Sequence, residues 1–510
     1  MSTPLKSVPP REGGPRESPL DLSPEQFRAI GHRLIDDIAA ALERIPAGPV
    51  TPGEPPASVR EAFGLGRALP ESGEDPATFV PEVARQLFAH SLFNAHPRFF
   101  GYITSSPAPI GMLGDLLAAA ANPNCGSWTL SPAGSEIESE VVRWIAQLIG
   151  YPSDASGVLV SGGNMANLVC FWAARTARAP WSVRTGGLTA DARRLRVYAS
   201  AETHTWIQKA ADLGGLGTDA IRWIPVDREL RMDVAALRRA LESDRAAGDV
   251  PMMVVGTGGS VSTGAIDPLD AIADACRDHG AWFHVDGAYG GFAAASSEAP
   301  PELRALARAD SVAIDPHKWL YAPLEAGCAL VRDEAAHRAA FSYHPPYYHF
   351  DEKVRNFVDF GPQNSRGFRA LKVWFALRQA GAAGYRTLID DDIRLSHRMA
   401  DAVRRHPELE FATQALSITT FRYVPADLRA RVGDPGVEAH LDGLNRELLD
   451  RLQRGGEVFV SNAVREGRYL LRACIVNFRT QTADVDAVPE IVVRLGRTID
   501  AEQRPADLRS

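Results

Sequence analysis

Apolar residues first recur at helical spacing. Ser23-Pro24-Glu25-Gln26 carries the signature of a helix start, with Ser as N-cap, Pro in the first turn and Gln at the capping-box position. Phe27, Ile30, Leu34, Ile38 and Leu42 then form one apolar stripe. A Pro/Gly-rich passage at 47–57 separates this helix from a second helical stretch near 81–92. Beyond it the period changes. Between 101 and 383, helical patterns alternate with short apolar runs at 158–160, 195–199, 252–256, 282–285, 311–314 and 328–331. Runs without polar alternation predict strands buried on both faces, hence a mainly parallel sheet covered by helices. In such sheets ligands sit at the carboxyl ends of the strands. After 384 helices mix with strands at 416–423 and 469–477, which predicts a smaller α+β domain. The expected order is a flexible tail at 1–22, a helical segment at 23–100, a large domain at 101–383 and a small domain at 384–510. The first helix must bury its stripe on its own domain or on a second subunit.

Composition narrows the partners. The 510 residues are 45% hydrophobic with a net charge of −8 and no dense run of either sign, so small molecules are better partners than nucleic acid or an anionic membrane. Cys125, Cys170, Cys276, Cys328 and Cys474 are scattered without a CxxC pair, which fits a reducing compartment and argues against a metal site. The first twenty residues lack the apolar core of a signal peptide, and no segment reaches the ~18 apolar residues of a membrane span. A cytoplasmic location is the expectation.

Four motifs follow apolar runs, each with a plain structural alternative. Ser161-Gly162-Gly163-Asn164 opens a helix whose free N–H groups and positive end suit a phosphate, or it is an ordinary glycine turn. It matches neither the dinucleotide nor the P-loop pattern. His204 follows the run at 195–199 and can stack on a flat ring or move a proton, or else serve structure alone. Asp286, in HVDGAYGG at 284–291, is costly to bury without a cationic partner such as a protonated pyridine nitrogen, unless it caps a helix. Lys318, in DPHKW after the run at 311–314, stands where an amine can form an imine with a carbonyl, although a lone lysine is usually exposed. Their common position after strands points to one cofactor.

The chain resembles the group II pyridoxal-phosphate-dependent amino-acid decarboxylases of fold type I, the aromatic-L-amino-acid branch most closely. The resemblance rests on HPRFFGYITSS (96–106), SWTLSPAGSEIE (127–138), SGGNMANL (161–168), HVDGAYGG (284–291), DPHKWLYAP (315–323), SRGFRALKVWFALR (365–378) and LRACIVNFRT (471–480), and covers about 25–495. It implies a large domain with a seven-stranded, mainly parallel sheet and pyridoxal 5'-phosphate as cofactor. Lys318 would bond to the cofactor aldehyde and Asp286 would pair with the pyridine nitrogen. Ala288 and His204 would lie on opposite ring faces, and Gly162, Gly163 and Asn164 would take the phosphate, with Asp315 and His317 beside them. It further implies a homodimer with sites at the interface, Ser365 approaching the phosphate of the partner subunit.

By the same resemblance Tyr102, Ile103, Trp128 and Phe360 face the substrate, an apolar wall that suits an aromatic amino acid. Gly126, where relatives carry bulkier residues, would widen that pocket. The expected reaction is decarboxylation to the amine. The stretch 356–360 carries Phe357 and Phe360 where relatives have a loop tyrosine, as aromatic aldehyde synthases do, although Tyr343, Tyr347 and Tyr348 lie upstream. Decarboxylation coupled to oxidative deamination is therefore the alternative outcome. An aminotransferase or carbon–carbon lyase is disfavoured by DPHKW and HVDGAYGG, and a silent scaffold by intact Lys318, Asp286 and His204.

Overall fold

The computed structural model describes residues 18–343 and 353–509. They divide into two compact units, Met1–Leu92 and Phe93–Ser510. In the first, the helix Pro24–Arg44 begins with the expected capping box: Ser23 Oγ accepts from the Gln26 N–H and the Gln26 side chain accepts from the Ser23 N–H. This helix and Pro76–Ala89 are the longest of that unit.

The second unit holds two sheets. Seven strands, β1 Ser156–Val160, β2 Leu195–Ser200, β3 Ile221–Ile224, β4 Val250–Thr257, β5 Trp282–Asp286, β6 Ser311–Ile314 and β7 Gly327–Val331, lie in the order β1-β7-β6-β5-β4-β2-β3. Only β7 runs against its neighbours. Neighbouring side chains leave opposite faces, so Val254, Val285 and Val312 enter one core while Val255 and Ala313 enter the other. That two-sided burial explains why these strands read as unbroken apolar runs. A second sheet, in the order β10-β11-β9-β8, is antiparallel throughout and contains β8 Leu409–Ala415, β9 Ile418–Tyr423, β10 Ser461–Arg465 and β11 Arg468–Cys474. The helices Pro435–Gly455 and Thr482–Gln503 pack their Leu444, Leu448, Val488 and Val492 against its Phe421 and Leu471.

Strands β3, β8 and β10 have no counterpart among the apolar runs. All three are sheet edges and incompletely buried, β8 half-buried along its length and β3 and β10 partly exposed, so their sequences mix polar and apolar residues. Residues 93–100, expected with the N-terminal helical segment, fall in the second unit. The Phe100 N–H donates to the Phe459 carbonyl and the Cys474 N–H to the Phe100 carbonyl, which stitches them to the small sheet. The expected boundary at 383/384 lies inside one long helical stretch, Ala370–Arg405, broken only at Gly381, whose φ of 62° is left-handed.

One buried ion pair ties the chain together behind β1. Arg366 donates to Glu138, to the Cys125 carbonyl and to the Leu159 carbonyl, while Glu138 also accepts the Leu159 N–H. Neither charge reaches solvent, at 2% and 0% side-chain exposure. Arg366→Met would leave the carboxylate buried and unpaired, at a cost of about 3–5 kcal/mol. The expected outcome is a clear fall in the denaturant midpoint of the cofactor-free protein, with Arg143→Met at the exposed Glu140 pair as a near-neutral control.

Candidate active site

Strands β1, β2, β4, β5 and β6 run in one direction, which delivers their ends to one edge of the large sheet. A cavity of about 380 Å³ opens there, lined by Gly163 and Asn164 after β1, His204 after β2, Asp286 and Ala288 at β5, and Asp315, His317 and Lys318 after β6. Tyr102 and Ile103 form part of its wall.

Lys318 Nζ lies 2.9 Å from Asp315 Oδ2. Asp315 is 1% exposed and its Oδ1 has no partner among the described residues, an acceptor left open in a polar cavity. His317 Nδ1–H donates to the Ala326 carbonyl at 2.7 Å, which turns Nε2 toward Asp315 Oδ2, 3.6 Å away. Burial lowers the His317 pKa, with Asp315 working against the shift. Asp286 accepts from the Ala288 N–H at Oδ1 and from the Trp206 indole at Oδ2, at 3.1 and 2.7 Å. Burial, opposed by the Asp286 carboxylate, likewise lowers the pKa of His204. Its Nδ1 accepts the Trp206 N–H at 3.3 Å, which leaves the ring proton on Nε2.

The helix Gly163–Arg178 points its first turn into this edge. Gly162, at φ 111°, makes a turn open to glycine alone, and the N–H groups that follow have no helical carbonyl to meet. A Cβ on Gly163 would stand 2.7 Å from Asp315 Oδ2 and 3.1 Å from the Ala288 Cβ, so the missing side chain is space the cavity uses.

Trp128, Phe360 and Ser365 do not line this cavity. The Phe360 ring is 2% exposed, packed edge-on to His337 with centroids 5.2 Å apart, and its carbonyl accepts from His337 Nε2. It is a core residue. The Trp128 indole donates to Glu136, and Ser365 faces solvent. Gly126 does not widen the pocket either: a Cβ there would meet the Asn364 carbonyl at 2.1 Å, so this glycine admits a crossing backbone. The Phe357 ring is fully buried beneath the Arg366 guanidinium. Tyr343 is exposed under Arg184, and Tyr347 and Tyr348 lie outside the described residues.

Two charged cavity residues were not foreseen from the sequence. Arg472, on β11, is 2% exposed, and among the described residues it donates only to neutral oxygens, Ser461 Oγ at 2.7 Å and the Tyr102 carbonyl at 3.1 Å, while its Nε has no partner there. Its motif LRAC was visible, but not that β11 would bring it 150 residues back to Lys318. Glu202 also lines the cavity, with Oε2 unpartnered and its pKa raised by burial.

The pyridoxal-dependent decarboxylase conserved domain matches residues 56–424. The chain belongs to that family. It is 31% identical to an aromatic-L-amino-acid decarboxylase of Bacillus atrophaeus over 91% of this chain and 94% of the relative. It is 30% identical to a phenylacetaldehyde synthase of Petunia hybrida over 92% and 94%. Oryza sativa TDC, solved with PLP and tryptamine, superposes with a TM-score of 0.86 at 28% identity and covers 95% of this chain and 100% of its own. Mouse CSAD gives a TM-score of 0.87 at 27% identity, covering 93% and 99%. Pyridoxal phosphate is the cofactor of these decarboxylases, and the donor set fits it: an amine for the aldehyde, a buried carboxylate for the ring nitrogen, and free N–H groups at a helix start for the phosphate.

Gly163→Ala should press its methyl onto Asp315 and Ala288 and weaken pyridoxal phosphate binding by about tenfold, the ~1.4 kcal/mol of modest overpacking. Gly361→Ala, with open space around it, is the control. Cofactor titration of both cofactor-free variants reads the difference.

Proposed function

We propose that this protein decarboxylates an aromatic L-amino acid to the corresponding amine and CO2. The observation that carries the reading is the single cavity in which Lys318, Asp286 and His204 meet the helix start at Gly163 and an unmatched guanidinium at Arg472. Bound there, pyridoxal phosphate would take up the electron pair left as CO2 departs.

The residues divide the work. Lys318 Nζ would hold the cofactor aldehyde, and Asp315 Oδ2, 2.9 Å away, fixes the amine inside the cavity. Asp286 would pair with the ring nitrogen, its charge favouring a proton there, and His204 and Ala288 would lie on opposite faces of the ring. Gly162, Gly163 and Asn164 hold the phosphate, with His317 beside them. Arg472 receives the substrate carboxylate, since it lines the cavity and its buried charge meets no acid among the described residues. Tyr102 and Ile103 form an apolar wall for a flat side chain.

The working unit is proposed to be a cytoplasmic homodimer. Leu113, Leu116 and Leu117 on the helix Pro109–Ala121 are 47%, 53% and 51% exposed, an apolar face suited to a second copy. Ser365 and Trp128 would then complete the site of the partner subunit. The N-terminal helices, with Phe27 63% exposed, would add to that dimer.

A second outcome is supported by the phenylacetaldehyde synthases among the relatives. In that route O2 and water are consumed, and aldehyde, CO2, ammonia and hydrogen peroxide are formed. Phenylalanine, tyrosine, tryptophan and dopa, supplied separately, distinguish the two: amine equal to CO2 supports decarboxylation, and stoichiometric peroxide with aldehyde replaces it. Lys318→Ala should lose both the bound-cofactor absorbance and turnover, and retained turnover would refute the reading. Arg472→Gln should raise KM by on the order of a hundredfold, as loss of a charge-assisted hydrogen bond of ~3 kcal/mol implies.

A further inference from the structure

Trp206 is the first residue of the helix Trp206–Leu213, and it is 1% exposed. It touches two groups at once. Its indole N–H donates to Asp286 Oδ2 at 2.7 Å, and its backbone N–H donates to His204 Nδ1 at 3.3 Å. The indole is held by an edge-on contact with the His284 ring, centroids 5.6 Å apart and planes at 82°. His284 in turn is locked: its Nε2–H donates to Asn167 Oδ1 at 2.7 Å, and its Nδ1 accepts the Ser311 hydroxyl at 2.9 Å. Burial drives the His284 pKa down to about 4, so the ring behind the indole is neutral.

The donor is therefore uncharged, short and rigid. A lysine or arginine in its place would neutralise Asp286 and compete with a cationic ring nitrogen for it. A purely apolar residue would leave Oδ2 free to rotate. An indole N–H does neither: it orients the carboxylate and leaves its negative charge available to a second partner.

We infer that Trp206 is a positioning residue for the cofactor, fixing Asp286 toward the ring nitrogen and His204 over the ring face through one side chain and its own backbone. The inference rests on the pyridoxal phosphate reading of the cavity. It goes beyond that reading by assigning the charge on the ring nitrogen to a contact outside the cavity lining.

The test uses the cofactor-free full-length protein. Wild type and Trp206→Phe are titrated with pyridoxal phosphate and with its analogue in which C–H replaces the ring nitrogen, and cofactor absorbance reports binding. The expected result is a loss of affinity of about tenfold or more for pyridoxal phosphate, as for one hydrogen bond to a charged group. The loss for the carbon analogue, which cannot engage Asp286 through nitrogen, should be under about twofold. Equal losses for both ligands, or none for either, overturn the inference. If Trp206→Phe does not fold, the benzothiophene isostere at 206 keeps shape and area while replacing N–H by sulfur, and the same two outcomes decide. Wild type that binds no pyridoxal phosphate would instead defeat the cofactor reading itself.

Discussion

Parallel pairing of β5 with β6 is the constraint on which the site depends. His284 pairs with Ser311 and Asp286 with Ala313, so β5 ends as Asp286 while β6 has two residues left to run to Asp315. With β4 pairing Thr257 to Asp286 on the other side, the backbone hydrogen bonds of three strands set the spacing of the acidic groups before any side chain is chosen. A slip by one residue would turn Asp286 into the opposite face, because side chains alternate. The catalytic arrangement is thus a property of register, which the two apolar cores on either side of the sheet hold in place.

Around that register, buried charges are placed where the backbone needs partners. Arg366 and Glu138 satisfy the Leu159 carbonyl and N–H at the end of β1, beside the turn to Gly162. Asp392, its pKa raised to about 7 by burial, accepts from both Trp319 and Tyr321 and so braces the residues that follow Lys318. Arg422 is fully buried between Glu410 and Glu438 in the small sheet. Arg472 differs from these. Among the described residues it pairs with no acid, and it lines the cavity.

Much of the large domain was legible because strands buried on both faces cannot hide: all six apolar runs of that domain became strands, with ends shifted by two residues or fewer. The motifs around Gly163, His204, Asp286 and Lys318 were legible for a related reason, since each breaks an apolar run with residues that burial makes costly. The strands β3, β8 and β10 were not, because incomplete burial leaves a weaker pattern. Phe360 and Gly126 were assigned to the substrate pocket by likeness, and packing placed one in a core and the other beneath Asn364.

The sequence by itself determined that an amine, a carboxylate, an imidazole and a helix start follow strands of one mainly parallel sheet, and the likeness of its motifs to a known family pointed to the cofactor. Local chemistry suffices for the placement, since strand, turn and helix start are written within a few residues of each group. Only the tertiary structure decided that Arg472 joins them from another sheet, that Trp206 grips Asp286, and that Phe357 and Phe360 are buried. Those are contacts between residues far apart in the chain, and their distances are set by how whole elements pack.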